Sequence, residues 1–392
     1  MQEHTPENAE AELAAILERC NDLRLAPMPE EGSLPEGFTG TLGHFPVYFP
    51  EEIAHAAGLL PVHILGGGNK LEMKYADAHM GSFVCSICRS TAELGLNGSL
   101  KGLSGFITHP ICDAAKHLAG IWSRNFPEQL AQILYLPQNV NSPGAITYIA
   151  AEYKRLRGEL EKLTGHAVSD EALHRSIGIY NHNRRLLREL YEIRRDEPWK
   201  LSCTEGYLLL RARTRIPCEQ HNTMLETALP AIRARRHAAQ DKPRVVFVGG
   251  FCEQPPLEML ETMDDSCYIV DDDLLIGLRW FTADVPETGD PMWALAESFV
   301  DRSAASPVQH DERKTKEGYL MAMIESSKAD GVIVTAAKFC EPGLDEQVLW
   351  SKHLDEVGAH YLVLEFEEKM TSFEQMAMQL ETFAESLLFA TA

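Results

Sequence analysis

The residues of this chain best suited to chemistry are its cysteines. There are nine: Cys20, Cys85, Cys88, Cys112, Cys203, Cys218, Cys252, Cys267 and Cys340. An odd number scattered over a long chain does not describe a disulfide framework. The choice lies between inert buried thiols, which behave as small hydrophobes, and thiolates that hold a metal or a cluster. Local sequence divides them. Cys112 follows GFITHP and opens a helical stretch. Cys252 follows RVVFVGGF and precedes PPLEML. Cys340 follows VIVTAAKF and precedes EPGLDEQVLW. These three are expected in strand-to-helix turns, and Cys85 at the start of the helical stretch running towards Leu96. In open α/β sheets such turns lie at the carboxyl edge of the strands, where ligands bind. Helix N-termini there favour negative charge, so they help hold thiolates or an anionic cluster. Cys20, Cys203, Cys218 and Cys267 read as buried structural thiols.

A second spacing competes. Cys85-Ser-Ile-Cys88, then twenty residues, then His109-Pro-Ile-Cys112, offers three thiols and an imidazole at tolerable zinc spacing. Against it, a structural zinc usually staples a small module. His109 is also the one candidate proton donor beside Cys112, with a structural role as its plainer account. Gly66-Gly67-Gly68-Asn69-Lys70 fits neither common phosphate-binding pattern. It reads as a permissive turn that could touch an anion. The acidic run 271–273 ends a strand and reads as a solvated turn. There is no H-E-x-x-H, no G-x-S-x-G and no kinase set, and no recognisable ATP site.

The elements that must position these thiols alternate along the chain. Residues 6–25 have helical spacing, and a loop with Pro27, Pro29, Gly32, Pro35 and Gly37 follows. Strands are expected at 46–49, 60–65, 102–108 and 132–136, with helices at 50–57 and 112–123. Residues 145–240 are long, charged and helical, at 150–163, 170–195 and 222–239. Strands then return at 244–248, 268–270, 332–335 and 361–365, interleaved with helices at 256–263, 312–328, 345–354 and 373–389. Alternation of this kind marks parallel sheets with helices on their faces. The expected fold is α/β: two open Rossmann-like parallel-sheet domains joined by a helical segment. The boundaries are a helical extension at 1–42, a first α/β domain at 43–145, the connecting helices at 146–240 and a second α/β domain at 241–392.

Composition narrows the setting. The 392 residues are 45% hydrophobic and 24% charged, an ordinary globular balance. A net charge of −22 and no basic stripe argue against nucleic-acid binding. The amino terminus lacks the pattern of a secretory signal, and no apolar run is long enough to span a membrane. A cytoplasmic protein is expected.

Several segments resemble one family. The stretch PEEIAHAAGLLP (50–61), the block around Phe83-Val84-Cys85 leading to RSTAELGL (89–96), Pro110-Ile111-Cys112-Asp113, FCEQPP (251–256) and Phe339-Cys340-Glu341-Pro342 are similar to those of the benzoyl-CoA reductase and 2-hydroxyacyl-CoA dehydratase family. RDEPWK (195–200) and Gly289-Asp290-Pro291-Met292 point towards its smaller reductase subunits. The resemblance runs from about residue 44 to near the end. It implies a [4Fe-4S] cluster held by three cysteines, at the positions of Cys85, Cys112 and Cys340, with the fourth iron left for another ligand. Cys88 lies outside that pattern. Cys252 is placed near the cluster, beside it or as an extra ligand. A double-cubane relative in the broader family leaves a larger cluster as an alternative.

The implied activity is two-electron dearomatisation of benzoyl-CoA. The implied partners are a larger paralogous subunit and an ATP-hydrolysing pair, itself reduced by a carrier such as ferredoxin. Soft thiolates suit such clusters, whose potentials are set by charge, hydrogen bonding and exposure. Two alternatives stand beside this reading. One is a subunit of a radical 2-hydroxyacyl-CoA dehydratase. The other, of a different class, is a non-catalytic zinc- or cluster-binding assembly protein.

Overall fold

The computed structural model describes residues 6–26, 28–29, 33–69 and 71–391. Pro27 and Gly32 of the proline-glycine loop, and Lys70 of the glycine turn, lie outside the described residues.

After helix α1 (Pro6–Leu25) the chain runs β1 (Gly40–Phe45), α2 (Glu51–Ala56), β2 (Leu59–His63), α3 (Ser86–Leu96), β3 (Gly105–Thr108), α4 (Asp113–Asn125) and β4 (Leu130–Ile133). Four helices follow without a strand: α5 (Ala145–Thr164), α6 (Asp170–Asp196), α7 (Cys203–Ala212) and α8 (Cys218–Ala234). The chain then continues with β5 (Arg244–Val248), α9 (Leu257–Ser266), β6 (Tyr268–Asp272), α10 (Pro291–Asp301), α11 (Lys316–Ser327), β7 (Gly331–Ala337), α12 (Glu341–Val357), β8 (Tyr361–Phe366) and α13 (Glu374–Thr391). The strands form two four-stranded sheets, ordered β2-β1-β3-β4 and β6-β5-β7-β8. Every pairing is parallel. This is the α/β architecture expected from the alternation.

Burial explains the strand patterns. Central strand β7, GVIVTAA, is buried along its whole length, as a parallel strand covered on both faces must be. In β5 the side chains alternate. Val245 and Phe247 join the main core, while Val246 and Val248 meet Leu320 and Met323 of α11 and Trp350 and Leu354 of α12. The main core is continuous from Phe45 and Phe106 through Tyr153, Leu187 and Leu225 to Phe247, Ile333 and Phe366. Each such side chain contributes about 1.5–3 kcal/mol by leaving water.

Some elements sit elsewhere than expected. The strand expected at 46–49 is the loop after β1, and the true strand precedes it. Pro46 has no N–H to give a ladder. Gly40 and Gly43 weaken the strand signal of GTLGHF, yet both are needed. A Cβ on either would collide with the Ser104 or Leu103 side chain. The helix expected at 222–239 starts after Pro217 and ends at Ala234. Arg235 is extended there and bonds Glu10, Glu205 and the Lys200 carbonyl. Helices α7 and α10 lie outside the expected elements. Each announces itself by a cap: Ser202 and Glu205 form a reciprocal capping box, and Asp290 accepts from Met292 and Trp293 N–H. Such caps contribute about 1 kcal/mol. Among the described residues, no helix is long and apolar enough to cross a membrane.

Candidate functional site

Three of the candidate cysteines occupy the same structural position. Cys85, Cys112 and Cys340 are the N-cap residues of α3, α4 and α12. None of their side chains makes a regular cap hydrogen bond to its own helix. Cys112 follows β3 and Cys340 follows β7, each the third strand of its sheet. Cys252 lies in the turn between β5 and α9. That turn begins at Gly249, with φ of 108°, where a Cβ would collide with the Thr335 carbonyl. Glycine is therefore required for the chain to leave β5 in this direction.

These turns converge. Cys85, Cys88, Cys112, Cys252 and Cys340 all line one cavity of about 490 Å³. Its remaining walls are largely apolar, with Phe45, Pro46, Val84, Ile87 and Ile111 among them. Phe83 and Phe339 line it while remaining exposed, so they stand at its open side. A second space of about 520 Å³ shares Ile111, Cys112, Asp113 and Glu341 with it and continues past Lys116 and Tyr135.

The thiols feel one another. Burial pushes Cys112 up to about 12, against the pull of the Ala115 and Ala114 N–H groups. Cys85 is drawn below the usual thiol value by the hydrogen bond from Cys88, against the cost of burial. Cys88 is raised by that same bond and then by burial. Cys252 is raised well above the ordinary value by burial, then by its hydrogen bond to Cys340. Such thiols ionise when iron or another metal binds them. The three helix N-termini would offset the charge then created.

The donor set fits an iron–sulfur cluster. It is made of soft sulfur ligands spread around a cavity, three of them at helix N-termini. It fits a single zinc ion poorly. His109 is absent from the walls of the thiol cavity, and its Nδ1 pairs with the Leu134 carbonyl at 3.0 Å. Among the described residues no group of three or more His, Cys, Asp or Glu is gathered about a single-ion position. Burial lowers the pKa of His109 to about 4, so its ring is neutral at physiological pH. It packs on Tyr48, with centroids 5.5 Å apart.

Two weaker motifs have other roles. The N–H groups of Gly67 and Gly68 are taken by Ser90 Oγ at 3.2 Å and Glu368 Oε1 at 2.8 Å. The glycine turn thus docks a loop of the second sheet instead of offering these donors to an anion. The acidic run 271–273 is buried, not solvated. Asp272 pairs with Arg194 and accepts from Tyr191 at 2.9 Å. Asp273 accepts from Gly249 and Gly250 N–H at 2.8 and 3.1 Å, which braces the turn leading to Cys252. Arg279, seven positions on, also pairs with Asp272 at 3.2 Å, but Arg194 and Arg195, which meet Asp272 and Asp271, lie nearly eighty positions upstream in α6, where the sequence hides them. Cys20, Cys203, Cys218 and Cys267 are buried away from the cavity, as expected. Cys20 donates to Met224 Sδ.

The chain belongs to the family described as 2-hydroxyglutaryl-CoA dehydratase, D-component, whose model matches residues 46–387. It is an enzyme component of that family. It is 38% identical to a subunit of the benzoyl-CoA reductase of Thauera aromatica over 88% of this chain and 90% of that one. It is 30% identical to the lactoyl-CoA dehydratase subunit beta of Anaerotignum propionicum, covering 95% and 99%. It is 27% identical to the (R)-2-hydroxyglutaryl-CoA dehydratase subunit beta of Acidaminococcus fermentans, covering 96% and 100%. These are the reductase and dehydratase branches that the sequence blocks resemble.

Proposed function

We propose that this chain is the smaller catalytic subunit of an ATP-dependent benzoyl-CoA reductase, and that Cys85, Cys112 and Cys340 hold a [4Fe-4S] cluster. The observation that carries this reading is the convergence of three thiols at helix N-caps, borne by both sheets, on one largely apolar cavity. The 38% identity to a benzoyl-CoA reductase subunit favours the reductase over the dehydratase branch. On this reading, residues 43–145 and 241–392 are two α/β domains that close on the cluster, joined by 146–240 and preceded by the 1–42 extension. The chain works in the cytoplasm.

When bound, the cluster would supply electrons singly and at low potential to the thioester-activated ring. The chain itself does three things. Its thiolates hold the iron, with the N-termini of α3, α4 and α12 stabilising their charge. Phe45, Val84 and Ile111 exclude water from the space beside the thiols, where a radical would otherwise be quenched. Cys252 sits against Cys340, close enough to serve as an extra ligand or to donate a hydrogen bond to a ligand sulfur. The open side, rimmed by Phe83 and Phe339, faces a paralogous subunit. An ATP-hydrolysing pair delivers the electrons, since the chain has no phosphate-binding motif.

The test is anaerobic. The purified chain should contain iron and sulfide with the broad visible absorption of a cluster. Assembled with its partners, it should reduce benzoyl-CoA and leave free benzoate untouched. Dehydration of a 2-hydroxyacyl-CoA without benzoyl-CoA reduction would move it to the dehydratase branch. Zinc in place of iron would end the cluster reading.

A further inference from the structure

The turn that delivers Cys252 also delivers Glu253, whose side chain is buried with 1% exposure. Its carboxylate reaches from the second sheet to the first turn of α3, on the first. Ser86 Oγ donates to Oε1, and Ile87 N–H donates to Oε2 at 3.2 Å. The loop after β8 joins the same point. Glu368 N–H donates to Ser86 Oγ at 3.3 Å, and its carboxylate holds the glycine turn through Gly68 N–H at 2.8 Å.

These contacts replace a normal cap. The first N–H groups of a helix need outside acceptors, and the N-cap side chain commonly supplies one. The N-cap of α3 is Cys85, a weak acceptor that makes no regular cap bond. The Cys85 side chain lines the cavity. We infer that Glu253 is a positioning residue for Cys85. By capping α3 from the opposite sheet, it releases the Cys85 sulfur towards the cavity and fixes the spacing between ligands borne by the two halves. This rests on the reading that Cys85 holds iron.

The experiment uses the full chain purified without oxygen, as wild type, Glu253→Ala, Glu253→Gln, Ser86→Ala and Cys85→Ser. Three things are read: iron per chain, the rate of iron release to a chelator, and the electron paramagnetic resonance spectrum after dithionite reduction. Circular dichroism reports folding. Folded Glu253→Ala should release iron about tenfold faster or more, as for other partners of metal ligands, with an altered spectrum. Glu253→Gln keeps one acceptor for Ile87 N–H and can donate to Ser86 Oγ, so it should restore most of both properties. Ser86→Ala should shift both in the same direction by less. A wild-type spectrum and release rate in folded Glu253→Ala overturns the inference. If that variant does not fold, unchanged behaviour of Ser86→Ala overturns it instead. Cys85→Ser separates the two layers. Full iron there defeats the ligand reading. Iron loss there beside an unaffected Glu253→Ala defeats only the positioning role.

Discussion

The two sheets share one plan and differ in what leaves their strands. In both, the strand order is second, first, third, fourth. In both, the turn after the third strand ends in a cysteine at a helix N-cap, Cys112 in one and Cys340 in the other. The turns after the first strands diverge. From β1 the chain enters Pro46 and Tyr48, an aromatic wedge packed on His109, Phe251 and Trp280. From β5 it enters Gly249, Cys252 and Glu253. Equivalent positions thus supply equivalent thiols, and the inequivalent ones supply packing on one side and a second sulfur on the other. Each sheet is also tied to the helical layer by a buried arginine pair. Arg213 meets Glu51 at 2.5 Å on the first side, and Arg194 meets Asp272 on the second.

The sharpest break of this symmetry concerns the equivalent cysteines. Cys112→Ser and Cys340→Ser should each strip most of the iron, to the same extent, although they lie 228 positions apart. Cys252→Ser, at an inequivalent position, should lose less. Iron analysis of the three decides it, and full retention in Cys340→Ser would sink the assignment.

Next in size are the arginine ties. Arg213→Ala and Arg194→Ala each remove a buried carboxylate's shortest ion pair but leave Glu51 with His44 and Asp272 with Arg279 and Tyr191, so each should cost less than the roughly 3–5 kcal/mol of a fully stranded buried charge. Denaturant melts should register both. An effect confined to one would mean that the two halves are not anchored alike.

The ties and braces also give the halves opposite acid responses. Burial by itself would raise Glu51, but the charge of Arg213 and the bonds from His44 and Arg213 hold it well below the usual carboxylate range. Its stabilisation is complete above the unfolded value of about 4.3 and is lost as the pH falls below that towards its folded pKa. Asp273 is raised by burial to about 7, so the folded state keeps a proton that the unfolded chain releases near 4. Stability should therefore fall as pH rises from about 4 to 7. Glu51→Gln should flatten the acid limb, and Asp273→Asn the slope between pH 4 and 7. Melting temperatures across pH 3–8 would reverse the assignment if the two variants exchanged behaviours.

The smallest effect lies at the cavity rim. Phe339 holds a left-handed φ of 62°, beside Cys340, and Tyr48 holds 63° in the turn after β1. Such conformations cost of order 1–3 kcal/mol. Phe339→Gly should relieve strain at an exposed position, raising stability by about 1 kcal/mol while opening the cavity. Tyr48→Gly should destabilise, because it also removes a buried ring. A loss of stability in Phe339→Gly would show that its ring, not its backbone, matters there.

Much of this was legible in the sequence because the signals were local. Apolar runs such as RVVFV and GVIVT, short, rich in β-branched residues and bounded by turn signals, read as buried parallel strands, and a cysteine just beyond each lies at the edge where ligands bind. The convergence of those edges was legible only through the family resemblance, since no local signal shows how two sheets face one another across four intervening helices. The same holds for Glu253, which sits 167 positions from Ser86. No spacing rule links an acid in one turn to an uncapped helix in another domain-sized segment. Strand β1 was misplaced for a different reason. Its glycines are dictated by close neighbours that the sequence does not show.

The separation of Cys112 from Cys340 has a consequence for biosynthesis. A ribosome adds about 5–20 residues per second, so roughly ten to fifty seconds pass after Cys112 is made before Cys340 exists. Through that interval Cys85, Cys88 and Cys112 are present without the opposing wall, and Glu253 arrives well after the helix it caps. Iron offered during translation would find an open, incomplete thiol set. If these thiols hold a cluster, its insertion would be a late event, timed by the emergence of the last third of the chain.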